Sequence, residues 1–328
     1  MCRIREVFVF NCGPDRLILP DRAYRRVSML AFVGYPLQAV HQFAHRDVEI
    51  SMVKSTAKKV LSSVGLFDLF RYSFLYEVFL RVFRPAQIRG RESEVRFYRQ
   101  TLGALPAGAI IFDVGANKGF KAEVFARLAK TVICVEPDRS NVQVLRAKFR
   151  SDPTVTVVDA AVGTEEGQLM FNVIDAGSAY NTLSTKWVES LGHSEAGRPA
   201  LTLSEQYPVK VVTLDSLIAR FGTPHYIKID VEGFELEVIR GLSRPVPYVS
   251  FELNLPDFRV EGLQIIERLS TIMPAAQFNY CAEAAPDAFS TEQHLAGAEW
   301  MDAAAISVIL SATSEPYLEV YMRDGGAR

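Results

Sequence analysis

The pattern of hydrophobic and polar positions changes near residue 100. Beyond that point, short apolar and β-branched runs alternate with stretches that have helical periodicity. Five of these runs are predicted to be strands, at residues 109–114, 131–136, 155–159, 226–230 and 248–253. Strands that alternate with helices indicate a mostly parallel sheet with crossover helices. The pattern therefore predicts an α/β fold.

The rest of the carboxyl-terminal part contains weaker signals. Two late runs, at 305–311 and 318–322, predict an antiparallel hairpin at a sheet edge. The segments 174–209 and 275–300 are rich in Gly, Ser, Ala, Pro and polar residues. We expect them to be long loops over one end of the sheet, where long loops often carry function.

The amino-terminal region is organised differently. Residues 58–84 are apolar or aromatic on most of a predicted helix. Its narrow polar stripe consists of Ser73, Glu77, Arg81 and Arg84. Such a helix either packs on the α/β domain or lies in a membrane interface. Two acidic residues, Asp68 and Glu77, dilute its basic face and favour packing.

Three domains are predicted along the chain. Residues 1–51 have weak periodicity, and they lead into a segment at Met52 that reads like a natural protein start. We therefore interpret 1–51 as a leader that the native protein lacks. Residues 52–104 are predicted to form a helical extension, and 105–328 the α/β domain.

Composition and charge narrow the class of protein. Hydrophobic residues make up 49% and charged residues 23%, which excludes a disordered chain. Residues 1–100 hold 17 Lys and Arg against 9 Asp and Glu, whereas the remainder holds 19 against 29. Only the amino-terminal part therefore suits an anionic surface, so we expect any peripheral membrane contact at 52–100 and no nucleic-acid partner.

Cysteine and histidine usage points to neither disulfides nor zinc. The four cysteines are scattered without a C-x-x-C pair, and His41 and His45 lack the neighbouring Glu of a zinc hydrolase. The early apolar run at 29–40 is too short to span a bilayer, which needs about 20 residues. We expect a cytoplasmic protein and assign no metal ligand.

The first strand ends in a glycine-rich turn, within the run Ile110-Ile-Phe-Asp-Val-Gly-Ala-Asn-Lys-Gly-Phe120. Gly115 and Gly119 permit close approach of a ligand to the backbone. Asp113 precedes this G-x-N-x-G turn and would repel the pyrophosphate of a dinucleotide. S-adenosylmethionine has no phosphate, and its ammonium suits Asp113 while turn N–H groups can donate hydrogen bonds to its carboxylate. We predict this cofactor, with Asn117 in the same site.

The next two strands provide further cofactor candidates. Glu136 ends the second strand 21 positions after Gly115, where a carboxylate meets the two ribose hydroxyls of an adenosine. Asp159 ends the third strand and is predicted to accept a hydrogen bond from the adenine amino group. Ala160 and the small residues after it are predicted to form the wall of the adenine slot.

A second cluster of acids follows the fourth and fifth strands. Asp230 ends a buried strand, Glu232 follows two residues later, and Glu252 lies at the end of the neighbouring strand. Three carboxylates on one cleft can stabilise a sulfonium cation, accept a substrate proton or bind Mg²⁺. Lys228 shares a strand face with Asp230 and needs an acid partner if buried, such as Asp230 or Asp215.

The motifs D-V-G-A-N-x-G, V-E-P, A-V-G, T-L-D-S-L and I-K-I-D-V-E-G-F-E occur in this order between residues 109 and 254. Together they resemble the FkbM family of S-adenosylmethionine-dependent methyltransferases. The resemblance implies a class I methyltransferase fold, which is Rossmann-like and doubly wound. Its seven-stranded sheet is mostly parallel and ends in a reversed hairpin. It further implies O-methylation of a hydroxyl on a sugar, a glycan or a small natural product.

Within this interpretation Asp230 is the base, and Glu232 and Glu252 orient the acceptor or hold a metal. The loop from Tyr180 to Pro208 is expected to cover the acceptor, with His193 as a further contact. One alternative is an S-adenosylmethionine-binding interaction module without turnover. Another is an NAD-linked oxidoreductase, against which the G-x-N-x-G turn speaks.

Overall fold

A computed structural model describes residues 7–12, 15–20, 85–192, 201–282, 294–297 and 299–326. The chain divides into two units, Met1–Glu77 and Val78–Arg328. In the first unit, β1 (Val7–Cys12) and β2 (Asp15–Pro20) form an antiparallel hairpin. The predicted helix at 58–84 lies outside the described residues. The domain boundaries at 51 and 104 stay predictions.

The second unit contains ten strands and eight helices in its described residues. The strands are β3 (Ile110–Val114), β4 (Thr131–Glu136), β5 (Val155–Asp159), β6 (Ala161–Val162), β7 (Gly167–Val173), β8 (Glu205–Val212), β9 (Tyr226–Ile229), β10 (Tyr248–Asn254), β11 (Ala276–Cys281) and β12 (Tyr317–Asp324). The helices are α1 (Pro85–Leu102), α2 (Phe120–Phe125), α3 (Arg139–Lys148), α4 (Thr185–Gly192), α5 (Leu214–Phe221), α6 (Glu235–Arg240), α7 (Arg259–Ile272) and α8 (Ala303–Ala312).

Seven strands form the main sheet in the order β11-β12-β10-β9-β3-β4-β5. The pairs from β10 to β5 are all parallel, whereas β12 runs antiparallel to both β10 and β11. The reversed strand β12 is thus inserted next to β10. This is the class I methyltransferase sheet with a carboxyl-terminal antiparallel hairpin, and it confirms the predicted fold class.

Helices cover both faces of this sheet because its strands alternate between two apolar cores. Phe112 and Val114 face a core shared with α5, α6, α7 and α8. Ile111 faces the opposite core, which contains buried side chains of α1, α2 and α3. Strands buried on both faces are typical of doubly wound α/β proteins. The carboxyl ends of β3, β4 and β9 therefore meet at one edge of the sheet.

The prediction of a strand at 305–311 is wrong, because this run lies within helix α8. Asp302 caps the helix by accepting a hydrogen bond from the backbone N–H of Ala305, and Ile306 and Leu310 are buried one turn apart. The run 318–322 does lie in a hairpin, but its partner is β11. The amino-terminal cap and the helical spacing of the buried residues favour a helix here, although the β-branched residues of the run favour a strand.

The two segments predicted as long loops contain regular structure. Residues 174–209 include α4 and the first part of β8, and residues 275–300 include β11. Strand β8 is parallel to β6 and antiparallel to β7, so these three strands form a second, smaller sheet. The sequence analysis missed this sheet because its pairing joins strands that are distant in the chain.

The T-L-D-S-L motif has a structural role. Thr213 and Ser216 form a capping box at the start of α5, in which each side chain satisfies the other residue's backbone N–H. The carboxylate of Asp215 accepts hydrogen bonds from the backbone and the hydroxyl of Ser243. Asp215 is therefore not the partner of Lys228.

None of the helices in the described ranges is both long enough and apolar enough to cross a membrane.

Candidate active site

A pocket lies at the carboxyl ends of β3, β4 and β9. It has about 650 Å³ of empty space, a figure that includes the part open to solvent. Its lining includes the predicted site residues Gly115, Asn117, Glu136, Ala160, Asp230 and Glu232. Six residues selected from four separate motifs thus converge on one cavity.

The turn after β3 approaches the turn after β9 closely. Gly115 has φ +81°, and a Cβ atom there would overlap the carbonyl oxygen of Asp230. Its own N–H donates to the carbonyl of Val135 at 2.9 Å. Asn117 also has a positive φ, of 48°. Glycine at 115 is therefore required by contact between two backbone turns.

Glu136 is held in place by this glycine-rich turn. Its Oε2 accepts a hydrogen bond from the N–H of Asn117 at 2.7 Å, and its Oε1 accepts one from the N–H of Asp138 at 2.9 Å. Burial raises the pKa of Glu136 to about 7, although both N–H groups oppose this shift. A carboxylate has about four acceptor positions, so each oxygen retains capacity for a ligand hydroxyl.

Asp113 is buried and does not line the pocket. It lies opposite Lys228 on the adjacent strand, and its carboxylate oxygens have no hydrogen-bond partner among the described residues. Burial raises the pKa of Asp113 to about 6, with Lys228 opposing this shift. The structure thus places Asp113 beneath the pocket and beside a cation of the protein itself.

Two of the predicted cofactor residues lie away from the pocket. A Cβ at Gly119 would lie 2.7 Å from side-chain atoms of both Leu145 and Phe149, so this glycine allows α2 to pack against α3. Asp159 is exposed over 48% of its side chain and pairs with Arg146 at 3.2 Å. Neither residue lines the pocket, and packing and a surface ion pair account for their positions, so their assignment to the cofactor site stays a prediction.

Apolar side chains form the wall beside Ala160. Ala161 and Val162 follow it along the lining, and Phe171 of β7 adds an aromatic ring. Phe171 was missed by the sequence analysis because β7 belongs to the smaller sheet. The only local signal for it was the alternation of apolar and polar residues at positions 171–173.

The second acidic cluster is organised around a buried lysine. Lys228 donates to Oδ2 of Asp230 at 2.6 Å, as one of the two predicted pairings requires. Burial alone would raise the pKa of Asp230, but the charge and the hydrogen bond of Lys228, together with smaller contributions from Glu252 and Lys121, hold the pKa below its ordinary value. Asp230 is therefore ionised at neutral pH while 30% of its side chain stays exposed.

The other two acids of the cluster behave differently. Burial, and then the charge of Asp230, raises the pKa of Glu232 and of Glu252 well above the ordinary value. The amide of Asn254 donates to Oε2 of Glu232 at 3.4 Å. Glu232 lines the pocket, whereas Glu252 lies behind Asp230 and hydrogen-bonds with it. Near this end of the pocket, Asp230 is therefore ionised, whereas the raised pKa values of Glu232 and Glu252 favour their protonated forms.

Residues 174–184, which we call the strap, cross from β7 to α4 and line the pocket with Ser178, Ala179, Asn181 and Leu183. Asn181 donates to Oδ2 of Asp138 at 2.6 Å, and Lys118 donates to the carbonyl of Gly177 at 2.7 Å. The predicted cover over the site is thus present in this segment. His193 lies outside the described residues.

Neither metal ligands nor a catalytic histidine emerge at the site. Among the described residues, no three His, Cys, Asp or Glu side chains are arranged to hold a metal ion. His225 precedes β9, and its backbone N–H donates to the carbonyl of Ile110. It lies at the far end of the strand from Asp230, as expected for a structural residue.

The fold and the pocket define a class I methyltransferase. Residues 113–280 match the family described as the methyltransferase FkbM domain, which is half of the chain. The protein therefore belongs to the FkbM methyltransferase family, and S-adenosylmethionine is its cofactor. This assignment favours methyl transfer over a nicotinamide-linked reaction and over a binding module without turnover.

Solved structures with a similar topology include other methyltransferases. A precorrin-6Y C5,15-methyltransferase from Geobacter metallireducens has 9% identity and a TM-score of 0.36, over 72% of this chain and 86% of that one. A TehB-like SAM-dependent methyltransferase from Corynebacterium glutamicum has 12% identity and a TM-score of 0.34, over 71% and 87%. No curated protein matches the chain.

Proposed function

We propose that the protein transfers a methyl group from S-adenosylmethionine to a hydroxyl of a sugar, a glycan or a small natural product. The observation that carries this proposal is the ionised Asp230 in the pocket that also contains Gly115 and Glu136. A carboxylate beside the reacting groups can accept the proton that a hydroxyl loses on methylation.

The residues of the pocket suit the cofactor. Glu136 is a buried carboxylate with free acceptor capacity, as ribose hydroxyls require, and the apolar wall at Ala160 and Phe171 suits an adenine ring. Gly115 and Asn117 bring backbone against the same cavity. Bound S-adenosylmethionine supplies an electrophilic methyl group on a sulfonium cation, and these five residues would hold it.

The chain itself contributes position and one proton acceptor. Alignment of two reactants in one site can account for about 7–11 kcal/mol of a barrier. Asp230 then accepts the hydroxyl proton, and its pairing with Lys228 keeps it ionised before the acceptor arrives. Lys228 lowers the basicity of Asp230, so proton transfer is expected late, after the hydroxyl has begun to bond to the methyl carbon.

The polar groups near Asp230 favour a polyhydroxylated acceptor. Glu232 presents a carboxyl at the pocket end, and the amide of Asn254 donates to it from outside the lining. A protonated carboxyl both accepts and donates hydrogen bonds. We assign Glu232 to the orientation of neighbouring hydroxyls, and Glu252 to the same role only through its contact with Asp230.

The proposal is tested with the purified full-length protein and S-adenosylmethionine. Release of S-adenosylhomocysteine is measured against a panel of methyl glycosides, hydroxylated aromatic compounds and matched primary amines. We expect turnover with members of the hydroxyl sets and an O-methyl signal in the product by NMR. Turnover restricted to amines, or methylation at carbon, would overturn the proposal while leaving the methyltransferase assignment intact.

Two expectations about the cell accompany this proposal. We propose a cytoplasmic location, since the acceptor chemistry requires no export, and peripheral membrane contact through residues 52–100, where basic residues are concentrated. Fractionation of cells that express the full chain, compared with a chain that starts at Val78, where the second unit begins, tests both. Equal distribution of the two chains would contradict the membrane contact.

A further inference from the structure

The turn that carries the acidic cluster has an unusual backbone. Glu232 has φ +55° and Gly233 has φ +86°, so two successive residues lie in the left-handed region. A left-handed conformation is unfavourable for a residue other than glycine, because its Cβ crowds the following carbonyl oxygen. Glu232 therefore keeps this conformation only because its surroundings hold it there.

The N–H groups of the turn are bound by one side chain. Oε1 of Glu235 accepts hydrogen bonds from the N–H of Val231 and the N–H of Gly233, both at 3.1 Å. Glu235 is buried at the start of α6, and its carboxylate points back over the turn. It thus does more than favour the amino terminus of a helix.

The carbonyl groups of the turn are bound from the opposite side. The hydroxyl of Thr182 lies 2.7 Å from the carbonyl oxygen of Glu232, to which it donates, and 3.3 Å from that of Val231. Thr182 is buried, and its backbone pairs with Asn172 of β7 through two hydrogen bonds. The strap and β7 therefore hold this hydroxyl rigidly against the turn.

The neighbour of Thr182 in the strap reaches the other half of the pocket. Asn181 donates to Asp138, whose N–H in turn donates to Glu136. Two successive strap residues thus contact the turn that follows β4 and the turn that follows β9. The strap joins the part of the site around Glu136 to the part around Asp230.

We propose that Thr182 is a positioning residue: its hydroxyl fixes the left-handed backbone of Glu232 and so sets the direction of the Asp230 and Glu232 carboxyls in the pocket. The inference rests on the proposed function only in placing these carboxyls beside the reacting groups. Thr182 itself touches neither the acceptor nor the proton that moves.

The cofactor offers a direct readout of carboxyl position. S-adenosylmethionine carries a sulfonium cation, whereas S-adenosylhomocysteine has a neutral thioether at the same place. Attraction between a carboxylate and a cation depends on their distance, and a neutral sulfur lacks it. The ratio of the two dissociation constants therefore reports where the carboxyls point, independently of any acceptor.

The experiment measures both dissociation constants by calorimetry for the full-length protein and its variants. Thr182→Val keeps the side-chain shape and removes the hydroxyl. We expect it to weaken S-adenosylmethionine relative to S-adenosylhomocysteine by about 3- to 10-fold, the size of one lost hydrogen bond. Thr182→Ser restores the hydroxyl, so the ratio of the two dissociation constants should return to within about twofold of the wild-type ratio.

The matched control is Thr213→Val, which removes a hydroxyl from the cap of α5, outside the pocket lining. It should lower stability without changing the ratio. If Thr182→Val does not fold, Thr182→Cys supplies the comparison, because a thiol of similar size is a weaker donor. A wild-type ratio in Thr182→Val or Thr182→Cys, or no rescue by Thr182→Ser, would overturn the proposal.

The outcome is separable from that of the acceptor panel. A changed ratio with no turnover on hydroxyl compounds would retain the role of Thr182 and reject O-methylation. Turnover on hydroxyl compounds with an unchanged ratio would support O-methylation and reject the role of Thr182.

Discussion

The two turns that meet in the pocket are built in opposite ways. The turn after β3 obtains its positive φ from glycine at 115, and its backbone N–H groups bind Val135 and Glu136. The turn after β9 places a glutamate in the left-handed region and relies on Thr182 and Glu235 to keep it there. The first turn needs glycine where it meets the Asp230 carbonyl, whereas the second keeps a glutamate in the left-handed region with the help of a hydroxyl fifty positions away.

The two halves of the pocket around these turns also differ in the number and charge state of their carboxyl groups. The first half of the pocket has one carboxylate, Glu136, which two backbone N–H groups satisfy. The second half has three carboxyls, and one buried lysine determines which of them is ionised. A half whose carboxylate is held by the backbone and keeps free acceptor positions suits cofactor binding, whereas a half with uneven pKa values suits proton transfer.

The contact between the two turns is tested by Gly115→Ala, for which we expect the largest effect. The new Cβ would overlap the carbonyl of Asp230, so we expect a loss of stability of about 3 kcal/mol, the upper end for one substitution. Binding of S-adenosylhomocysteine should also disappear. Urea unfolding and calorimetry measure both.

The control for that variant is Gly167→Ala, where a Cβ meets no atom within 4 Å. It should change neither stability nor binding measurably. If Gly115→Ala bound S-adenosylhomocysteine like the wild type, the two turns would not need their close contact.

Asp230→Asn separates the roles of the two halves. It removes the ionised carboxyl, and we expect kcat to fall by about 10²- to 10⁴-fold, the usual contribution of a general base. Affinity for S-adenosylhomocysteine should change little, because Glu136 and Gly115 are untouched. Initial rates with the best hydroxyl acceptor from the panel provide the measurement.

Asp215→Asn is the matched control, since Asp215 binds Ser243 and does not line the pocket. Its kcat should equal that of the wild type. If Asp230→Asn instead abolished cofactor binding while turnover per bound complex stayed normal, Asp230 would be a cofactor ligand. The base would then be Glu232, Glu252 or His193.

The pH dependence of stability tests the first half alone. Burial raises the pKa of Glu136 from 4.5 to about 7. Between these values the folded protein holds a proton that the unfolded chain has lost, so stability falls as pH rises. Two to three pKa units correspond to about 3 kcal/mol, and Glu136→Gln should remove up to that much of the decline.

Urea unfolding of the cofactor-free protein at pH 5 and pH 7.5 measures this difference. The exposed Glu166 supplies the control variant, Glu166→Gln, which should keep the wild-type decline. An unchanged decline in Glu136→Gln would mean that burial does not disfavour the charge of Glu136.

The smallest effect is expected for Asp159→Ala. The ion pair of Asp159 with Arg146 is exposed, and such pairs contribute about 0–1 kcal/mol. Stability should fall by no more than that, and affinity for S-adenosylmethionine should stay the same. A tenfold loss of affinity would return Asp159 to the cofactor site and shift the boundary between the two halves.

Much of the site could be predicted because its residues follow strand ends. Gly115, Glu136, Ala160 and Asp230 each end a strand or follow one directly, and parallel strands bring their carboxyl ends to one edge. Asp159 also ends a strand and yet lies outside the pocket lining. Sequence position places a residue at the edge, but packing decides which way its side chain points.

The residues that were missed depend on pairings between distant parts of the chain. Phe171, Asn181 and Thr182 acquire their roles from the smaller sheet, in which β7 pairs with β8 more than thirty positions away. Their local sequence resembles a loop, because Gly, Ser and polar residues dominate there. Amino-acid composition indicates local conformational preference, but it does not show which strands pair with each other.

The sequence by itself determined the α/β class, the family and the edge of the sheet where the site lies. These features follow from periodicity and from glycine and acid spacing, which act within a few residues of the chain. Only the tertiary structure decided that Lys228 pairs with Asp230, that Glu252 supports it, and that Thr182 holds Glu232. Charge state and backbone strain depend on neighbours in space, because burial and hydrogen bonding set their free energies.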